Sequence, residues 1–364
     1  MTVLLCRPTL SLRSGTGPLM RLQAEALRAA GERVELHCRR GALKFFLETR
    51  LLVRRASPAR LRQRAALPGC LLVDHGMRLP EADMVFVHNL FSEAVLHLPR
   101  DDWRAAAGEE AAFFDELDAQ ASIVANSELV RRGLVERFGL EAGRIVVERP
   151  GFDGARFNRE SAGTLRTRGR AALGIDDSTP LVGFVTSGDF GKRGLDVFLQ
   201  AAEHIADVRP NARFFVVGST RLPDLAARHP FVSNGRLLYR PKGPRPEPWF
   251  AALDVFLYPA RFEEFGLVVT EALALGVPVL SSRRVGAVEC LPAAYEPWVL
   301  EAPEARAFAE RALSLLADAE LRRGLGEAGA ASAASWEAKR YADATTALML
   351  ERLRAKAGDS MRAT

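Results

Sequence analysis

At 364 residues, 48% of them apolar and 26% charged, the chain is long enough for two domains that each bury a core, and its mean hydropathy near zero suits a water-soluble fold. No apolar run approaches the roughly 18 residues of a membrane span. Met1-Thr-Val-Leu-Leu-Cys6, without a basic leader, is too short for a signal-peptide core. A formal net charge of +5 is small for a dedicated nucleic-acid binder. Cys6, Cys38, Cys70 and Cys290 have no paired metal or redox spacing and read as reduced core thiols of a cytoplasmic protein.

Residues 3–6 read as a buried strand. A loop over 7–17, containing Ser14-Gly15-Thr16-Gly17-Pro18, leads to an amphipathic helix over 19–30, closed by Gly31, and a second strand at 34–36. This is the β-loop-α-β opening of a doubly wound domain. It is not a dinucleotide fingerprint: Met20 stands where a third glycine belongs, and no acid closes the second strand. A glycine turn near a ligand and an ordinary βα turn both fit. Between Arg39 and Arg64 lie Arg40, Lys44, Arg50, Arg54, Arg55, Arg60 and Arg62, interleaved with Leu43, Phe45, Phe46, Leu47, Leu51, Leu52 and Val53. This basic amphipathic segment reads either as a solvated face or as a dock for anionic lipid.

Strands follow at 70–73 and 84–87. The second ends in His88-Asn89, at the sheet edge where open α/β folds place ligands; His75 stands similarly after the first. A helical stretch covers 109–117, a strand 122–125, a helix 129–138 and a strand 145–147. Residues 149–178 mix Pro, Gly, Arg and Ser with weak periodicity and read as an inter-domain linker. A second α/β pattern then has strands at 181–185, 213–217, 237–239, 254–257 and 279–280, with helices near 303–317, 319–334 and 336–356.

Two stretches of this second half carry the chemistry. Lys192-Arg193 follows a strand and precedes a helix, where two cations and the free N–H groups of a helix head suit a diphosphate. Glu263 and Glu271 frame Phe265-Gly266 and the start of another helix, so two carboxylates stand beside a phosphate seat, able to hold sugar and ribose hydroxyls. The bland alternatives are solvated basic residues and acids that merely cap a helix.

Glu263-Glu-Phe-Gly-Leu-Val-Val-Thr-Glu271, with Gly276-Val-Pro-Val279 behind it, resembles the E-x7-E signature of retaining glycosyltransferases of family 4, the "group 1" enzymes. Ser187-Gly-Asp-Phe-Gly-Lys-Arg-Gly-Leu-Asp196 resembles their phosphate loop and is particularly similar to that of lipopolysaccharide core glucosyltransferases. Phe215-Val-Val-Gly218, Asp254-Val-Phe-Leu-Tyr-Pro259, Val285-Gly286 with Glu289, Ala125-Asn-Ser-Glu128 and Arg149-Pro-Gly-Phe-Asp153 fall in the family's order. Three places depart from its commonest pattern. Ser187-Gly188 replaces Gly-Arg, Arg149-Pro150-Gly151 replaces Pro-Asn-Gly, and no second strand-plus-His follows His88, which leaves the cleft histidine open.

The resemblance implies the α/β GT-B fold, two Rossmann-like doubly wound domains facing across a cleft. It implies an acceptor-binding domain over 1–165, a nucleotide-sugar domain over 175–335, and a C-terminal helix over 336–358 crossing back to the first domain. It implies transfer of a hexose, with retention, from a nucleotide-diphosphate sugar to a glycan or glycolipid acceptor such as lipopolysaccharide core or capsule. A UDP-hexose is favoured over GDP-mannose, and no metal or other cofactor is expected. Glu271 would bind the ribose and Glu263 the donor sugar. Main-chain N–H groups of Phe265, Gly266 and Leu267, with Gly188 and Val268 in the same set, would meet sugar and phosphate. Lys192 and Arg193 would neutralise the leaving diphosphate. Gly15 and Gly17 would approach the donor, and His88 the transferred sugar. The expected location is cytoplasmic, peripheral at the inner membrane face if the basic segment docks on lipid. The competing readings are a soluble enzyme for a small acceptor or storage glucan and a dinucleotide-dependent oxidoreductase. A nucleic-acid module ranks last, and no nucleic-acid partner is expected.

Overall fold

Short apolar strands followed by amphipathic helices set the architecture twice over. The computed structural model describes residues 1–11, 16–40, 42–186 and 188–362, and the chain divides into two units, Met1–Pro150 with Ala338–Thr364, and Gly151–Glu337. In unit 1, β1 (Thr2–Thr9), β2 (Arg33–Arg40), β3 (Val53–Arg54), β4 (Cys70–Asp74), β5 (Met84–Val87), β6 (Ser122–Ala125) and β7 (Ile145–Val147) form a parallel sheet in the order β3-β2-β1-β4-β5-β6-β7. Every residue of β4 and β5 is buried, as expected when helices cover both faces. The order turns back at β1, which pairs with β2 on one side and β4 on the other, so Cys6 stands between His37 and Asp74.

Leu19, Met20 and Leu27 of the helix Thr16–Ala29 pack on this sheet with Tyr341, Met349 and Leu353 of the helix Ala338–Arg362. Each such side chain contributes about 1.5–3 kcal/mol when fully buried. Gln23 Nε2 donates to Thr345 Oγ1 at 3.1 Å across that contact. The helix Ala338–Arg362 thus belongs to unit 1, although the chain passes through all of unit 2 before reaching it.

Unit 2 repeats the plan. β8 (Leu181–Val185), β9 (Arg213–Gly218), β10 (Leu237–Pro241), β11 (Val255–Tyr258), β12 (Val279–Ser282) and β13 (Val299–Leu300) lie in the order β10-β9-β8-β11-β12-β13, all parallel. The order turns back between β8 and β11.

The stretch read as a linker is not one. Unit 2 begins at Gly151, and Asn158 caps a helix, Arg159–Leu173, by accepting the Ser161 N–H at 2.9 Å; Gly174, at φ 68°, ends it. Its periodicity is hidden because the buried face carries cations. Arg166 and Arg170, one turn apart, both reach Asp254, and Arg170, 2% exposed, also donates to the carbonyls of Ala252, Asp176 and Thr179. Asp254 in turn accepts the Leu181 N–H at 2.7 Å, tying the helix to the heads of β8 and β11. Buried charges persist when paired in this way.

Candidate functional site

The strand β8 delivers the chain to a loop that closes on the helix Leu195–Val208. Gly194 caps that helix at φ 75°, and a Cβ there would lie 2.0 Å from the carbonyl oxygen of Pro259, so only glycine lets the loop press onto the end of β11. Phe190 lies over Gly218 at the end of β9, and the guanidinium of Arg193 lies over Gly188. Arg261 fastens the loop from the other side, with both guanidinium nitrogens on Asp196 at 2.8 and 2.5 Å and a third bond to the Gly191 carbonyl.

Beyond β11, Glu263 is held by its own backbone. Its N–H donates to Arg284 O at 2.9 Å and its carbonyl accepts the Gly286 N–H at 3.0 Å. Gly266, at φ 94°, then starts the helix Leu267–Ala274. A Cβ on Gly266 would come within 3.2–3.3 Å of Glu263, Tyr258 and Val285, so the turn is closed around the acid.

The structure brings Lys192, Arg193 and Glu263 together and adds two groups that the sequence reading missed. Arg193 Nε lies 2.7 Å from Glu263 Oε2, which also accepts the Tyr258 hydroxyl at 3.2 Å. Lys192 Nζ donates to Glu264 Oε2 at 2.5 Å. Burial opposes the charge on Arg193, yet Glu263, Tyr258 and Glu264 hold its pKa above the ordinary value. Burial and the Glu263 carboxylate push the Tyr258 phenol up, so it stays a hydrogen-bond donor at neutral pH. The adjacency of Glu264 to Glu263 was the available signal for one missed residue. Nothing in sequence marks Tyr258 beyond its place at a strand end.

Glu271 stands apart from this set. It is half-buried on the helix Leu267–Ala274, and burial pushes its carboxyl up to about 7, with Arg156 opposing and Glu247 adding to the shift. Arg156 itself pairs with Glu247 at 2.5 Å and donates to Pro244 O at 2.6 Å. The N–H groups of Leu267 and Val268 belong to the first turn, which an α-helix leaves without internal partners. Phe265 is buried beside them, its carbonyl accepting the Ala287 N–H at 2.7 Å.

Gly15 and Ser187 lie outside the described residues. Gly17 is buried in the first turn of its helix, which starts at Thr16 rather than at residue 19. In unit 1, His88 Nε2 lies 3.0 Å from His75 Nδ1, and His75 stacks on Phe86 with ring centroids 4.4 Å apart. Burial first, then the charge of Arg7, lowers His88 to about 3, so it is neutral at pH 7. Sequence reading missed Arg7, a lone cation near the end of an apolar strand.

The basic segment is not one helix. It is the helix Ala42–Thr49, the short β3 and the helix Pro58–Ala65. Phe45 anchors the first helix in the core, while Leu43 and Leu47, one turn apart, are 72% and 56% exposed beside Lys44. Arg64 and Arg62 are engaged in ion pairs, with Glu35 at 2.5 Å and Glu81 at 2.7 Å. Among the described residues, no His, Cys, Asp and Glu side chains gather as a metal site, and no helix is long and apolar enough to cross a membrane.

Residues 166–332 match the family described as glycosyl transferases group 1. The D-inositol 3-phosphate glycosyltransferase of Segniliparus rotundus is 33% identical over 233 residues, 59% of this chain and 49% of that protein. The chain spans about half the length of the curated relatives it matches. WaaG, a glycosyltransferase involved in lipopolysaccharide biosynthesis, superposes with a TM-score of 0.78 at 19% identity, over 95% of this chain and 99% of its own. Anabaena Alr3699/HepE, in complex with UDP-glucose, gives 0.74 at 17% identity, over 96% of this chain and 99% of its own. These likenesses show the fold, two Rossmann-like parallel-sheet units of the GT-B type.

Proposed function

We propose that this chain, whose residues 166–332 match the group 1 glycosyl transferases, moves a hexose from a nucleotide-diphosphate sugar to a glycan or glycolipid acceptor with retention at the anomeric carbon. One observation carries the reading. At the heads of two helices on the same edge of one sheet, Arg193 is paired with Glu263 and Lys192 with Glu264. Adjacent cations suit the diphosphate, and the acids paired with them make their burial tolerable, ready to exchange a carboxylate for a phosphate oxygen.

In this reading Glu263 accepts hydrogen bonds from the donor sugar's hydroxyls, and Glu271 from the ribose. The main-chain N–H groups of Phe265, Gly266, Leu267 and Val268 meet the sugar and distal phosphate at the positive end of the helix. Gly188, without a side chain, lets the Arg193 guanidinium lie over the backbone of the phosphate loop. As the bond to the leaving group breaks, Lys192 and Arg193 stabilise the charge gathering on the diphosphate. The acceptor attacks from the same face, with a phosphate oxygen taking its proton. His88, Gly15 and Gly17 remain assigned to substrate contact in unit 1.

The donor is a UDP-hexose, a choice supported by the UDP-glucose complex of the HepE neighbour. The acceptor is an envelope glycan at the inner face of the cytoplasmic membrane, a choice supported by the exposed Leu43 and Leu47 beside Lys44 and Arg50. Incubation with UDP-, GDP- and ADP-sugars tests the core of the reading. Slow hydrolysis of one donor is expected, strongly reduced by Lys192→Ala or Glu271→Ala; no hydrolysis and no thermal shift with any donor would overturn it. Charge reversal at Arg50, Arg54 and Arg55 tests the location. Unchanged binding to anionic liposomes would leave the membrane version without support and favour a small soluble acceptor.

A further inference from the structure

Two arginines make a contrast: Arg170, 2% exposed, has its hydrogen bonds matched, and Arg7, half-buried, has a buried nitrogen without a partner. Arg170 has its guanidinium bonded to carbonyls and Asp254 throughout, which makes it structural. Arg7, near the end of β1, has a buried Nη1 with no partner. Cys6 pairs with Asp74, so Arg7 and His75 are the next residues along two neighbouring strands, and His88, after β5, lies 3.0 Å from His75 at the C-terminal edge beside the point where the sheet order turns back.

The backbone fixes this arrangement. The His75 N–H donates to Cys6 O at 2.9 Å. Asp74, the acid nearest in sequence, is occupied by its own turn: it accepts the N–H groups of Gly76 at 2.8 Å, Arg78 at 2.7 Å and Leu79 at 2.8 Å. That turn is pressed against β1, since a Cβ on Gly76 would lie 2.3 Å from Pro8. His75 is 3% exposed, its Nδ1 engaged by His88 and its Nε2 buried without a partner. Both imidazoles are disfavoured as cations by burial; the charge of Arg7 adds to this for both rings, and for His75 so does His88. No carboxylate among the described residues opposes these effects. A guanidinium with one buried, unmatched nitrogen, whose charge reaches an imidazole that also has an unmatched nitrogen, is costly unless something negative completes it.

We infer that Arg7, His75 and His88 form a subsite for an anionic group, a phosphate or a carboxylate, carried by the acceptor. That the anion belongs to an acceptor rests on the glycosyl-transfer reading; that the cluster takes an anion does not. When His88 Nε2–H donates to His75 Nδ1, His75 Nε2 carries a proton and becomes a second donor beside the guanidinium. An anion there also favours protonation of the imidazole pair.

The test titrates the full chain with inorganic phosphate, methyl phosphate and acetate, following the imidazole 15N resonances of its six histidines and the melting temperature. Phosphates are expected to move the resonances of two histidines and raise the melting temperature; acetate doing so instead assigns the site to a carboxylate. Arg7→Gln should weaken that binding by about tenfold or more, and Arg7→Lys by less. The thermal shift given by a nucleotide sugar should persist in Arg7→Gln. His88→Gln supplies a second variant should Arg7→Gln fail to fold. No perturbation by any of the three anions, or equal binding by Arg7→Gln, would overturn the subsite. Phosphate binding without nucleotide-sugar binding would instead sink the glycosyl-transfer reading and leave the anion site standing.

Discussion

The two sheets share a plan and differ at their C-terminal edges in how charge is matched. In unit 2, Lys192 and Arg193 each sit against a carboxylate, and a tyrosine hydroxyl completes one pair. In unit 1, Arg7 and two neutral imidazoles meet with no acid among them. A matched set is stable while its ligand comes and goes, because carboxylate and ligand can exchange places. An unmatched set is strained until something negative arrives. The difference separates a seat built for turnover from one whose stability should depend on occupancy.

The largest effect expected is on the matched side. Lys192→Ala should lower donor hydrolysis by about 10²–10³-fold, the range seen when one donor to a developing oxyanion is removed, measured as kcat/KM for the active nucleotide sugar. Arginine removal sharpens the contrast directly. Arg193→Met strands Glu263 and should cost about 2–4 kcal/mol in urea unfolding. Arg7→Met, in anion-free buffer, should be neutral or stabilising. Equal losses from both would erase the distinction between the two edges.

Gly194→Ala should cost about 1–3 kcal/mol, from a left-handed backbone and the close approach to Pro259. A thermal melt reads it, and an unchanged melting temperature would mean that the loop can give way. The smallest effect is a pH slope. The folded-state pKa of Glu271 is raised to about 7, so the native state binds more protons than the unfolded chain between the ordinary carboxylate range and 7. Stability therefore falls as pH rises through that window. Glu271→Gln should remove the slope, at most about 1.4 kcal/mol for each pH unit of the window. Parallel pH curves for the two proteins would show that Glu271 is better solvated than its burial implies.

How much of this was legible depends on which physical force shaped each part. β4, β5, β8 and β9 are short apolar runs because both faces are covered, and such runs announce themselves. The helix Arg159–Leu173 does not, because its inward face carries Arg166 and Arg170 and so reads as polar. The loops at Lys192 and Glu263 were visible as cations and acids at helix heads. The Lys192–Glu264 pair was not, since it joins residues 72 positions apart and only folding selects Glu264 over its neighbours. Arg7 was unreadable for a simpler reason. One arginine near the end of a strand carries no pattern, and its meaning lies in the partners it lacks.

The helix Ala338–Arg362 has one more consequence. It covers the sheet of unit 1, yet roughly 190 residues of unit 2 are synthesised between that sheet and the helix. At about 5–20 residues per second, the ribosome leaves the surface that will receive Tyr341, Met349 and Leu353 bare for on the order of ten seconds or more. Unit 2, a continuous stretch, can close first. The half of the protein made first is therefore the half completed last, and during that interval it is the natural client for a chaperone.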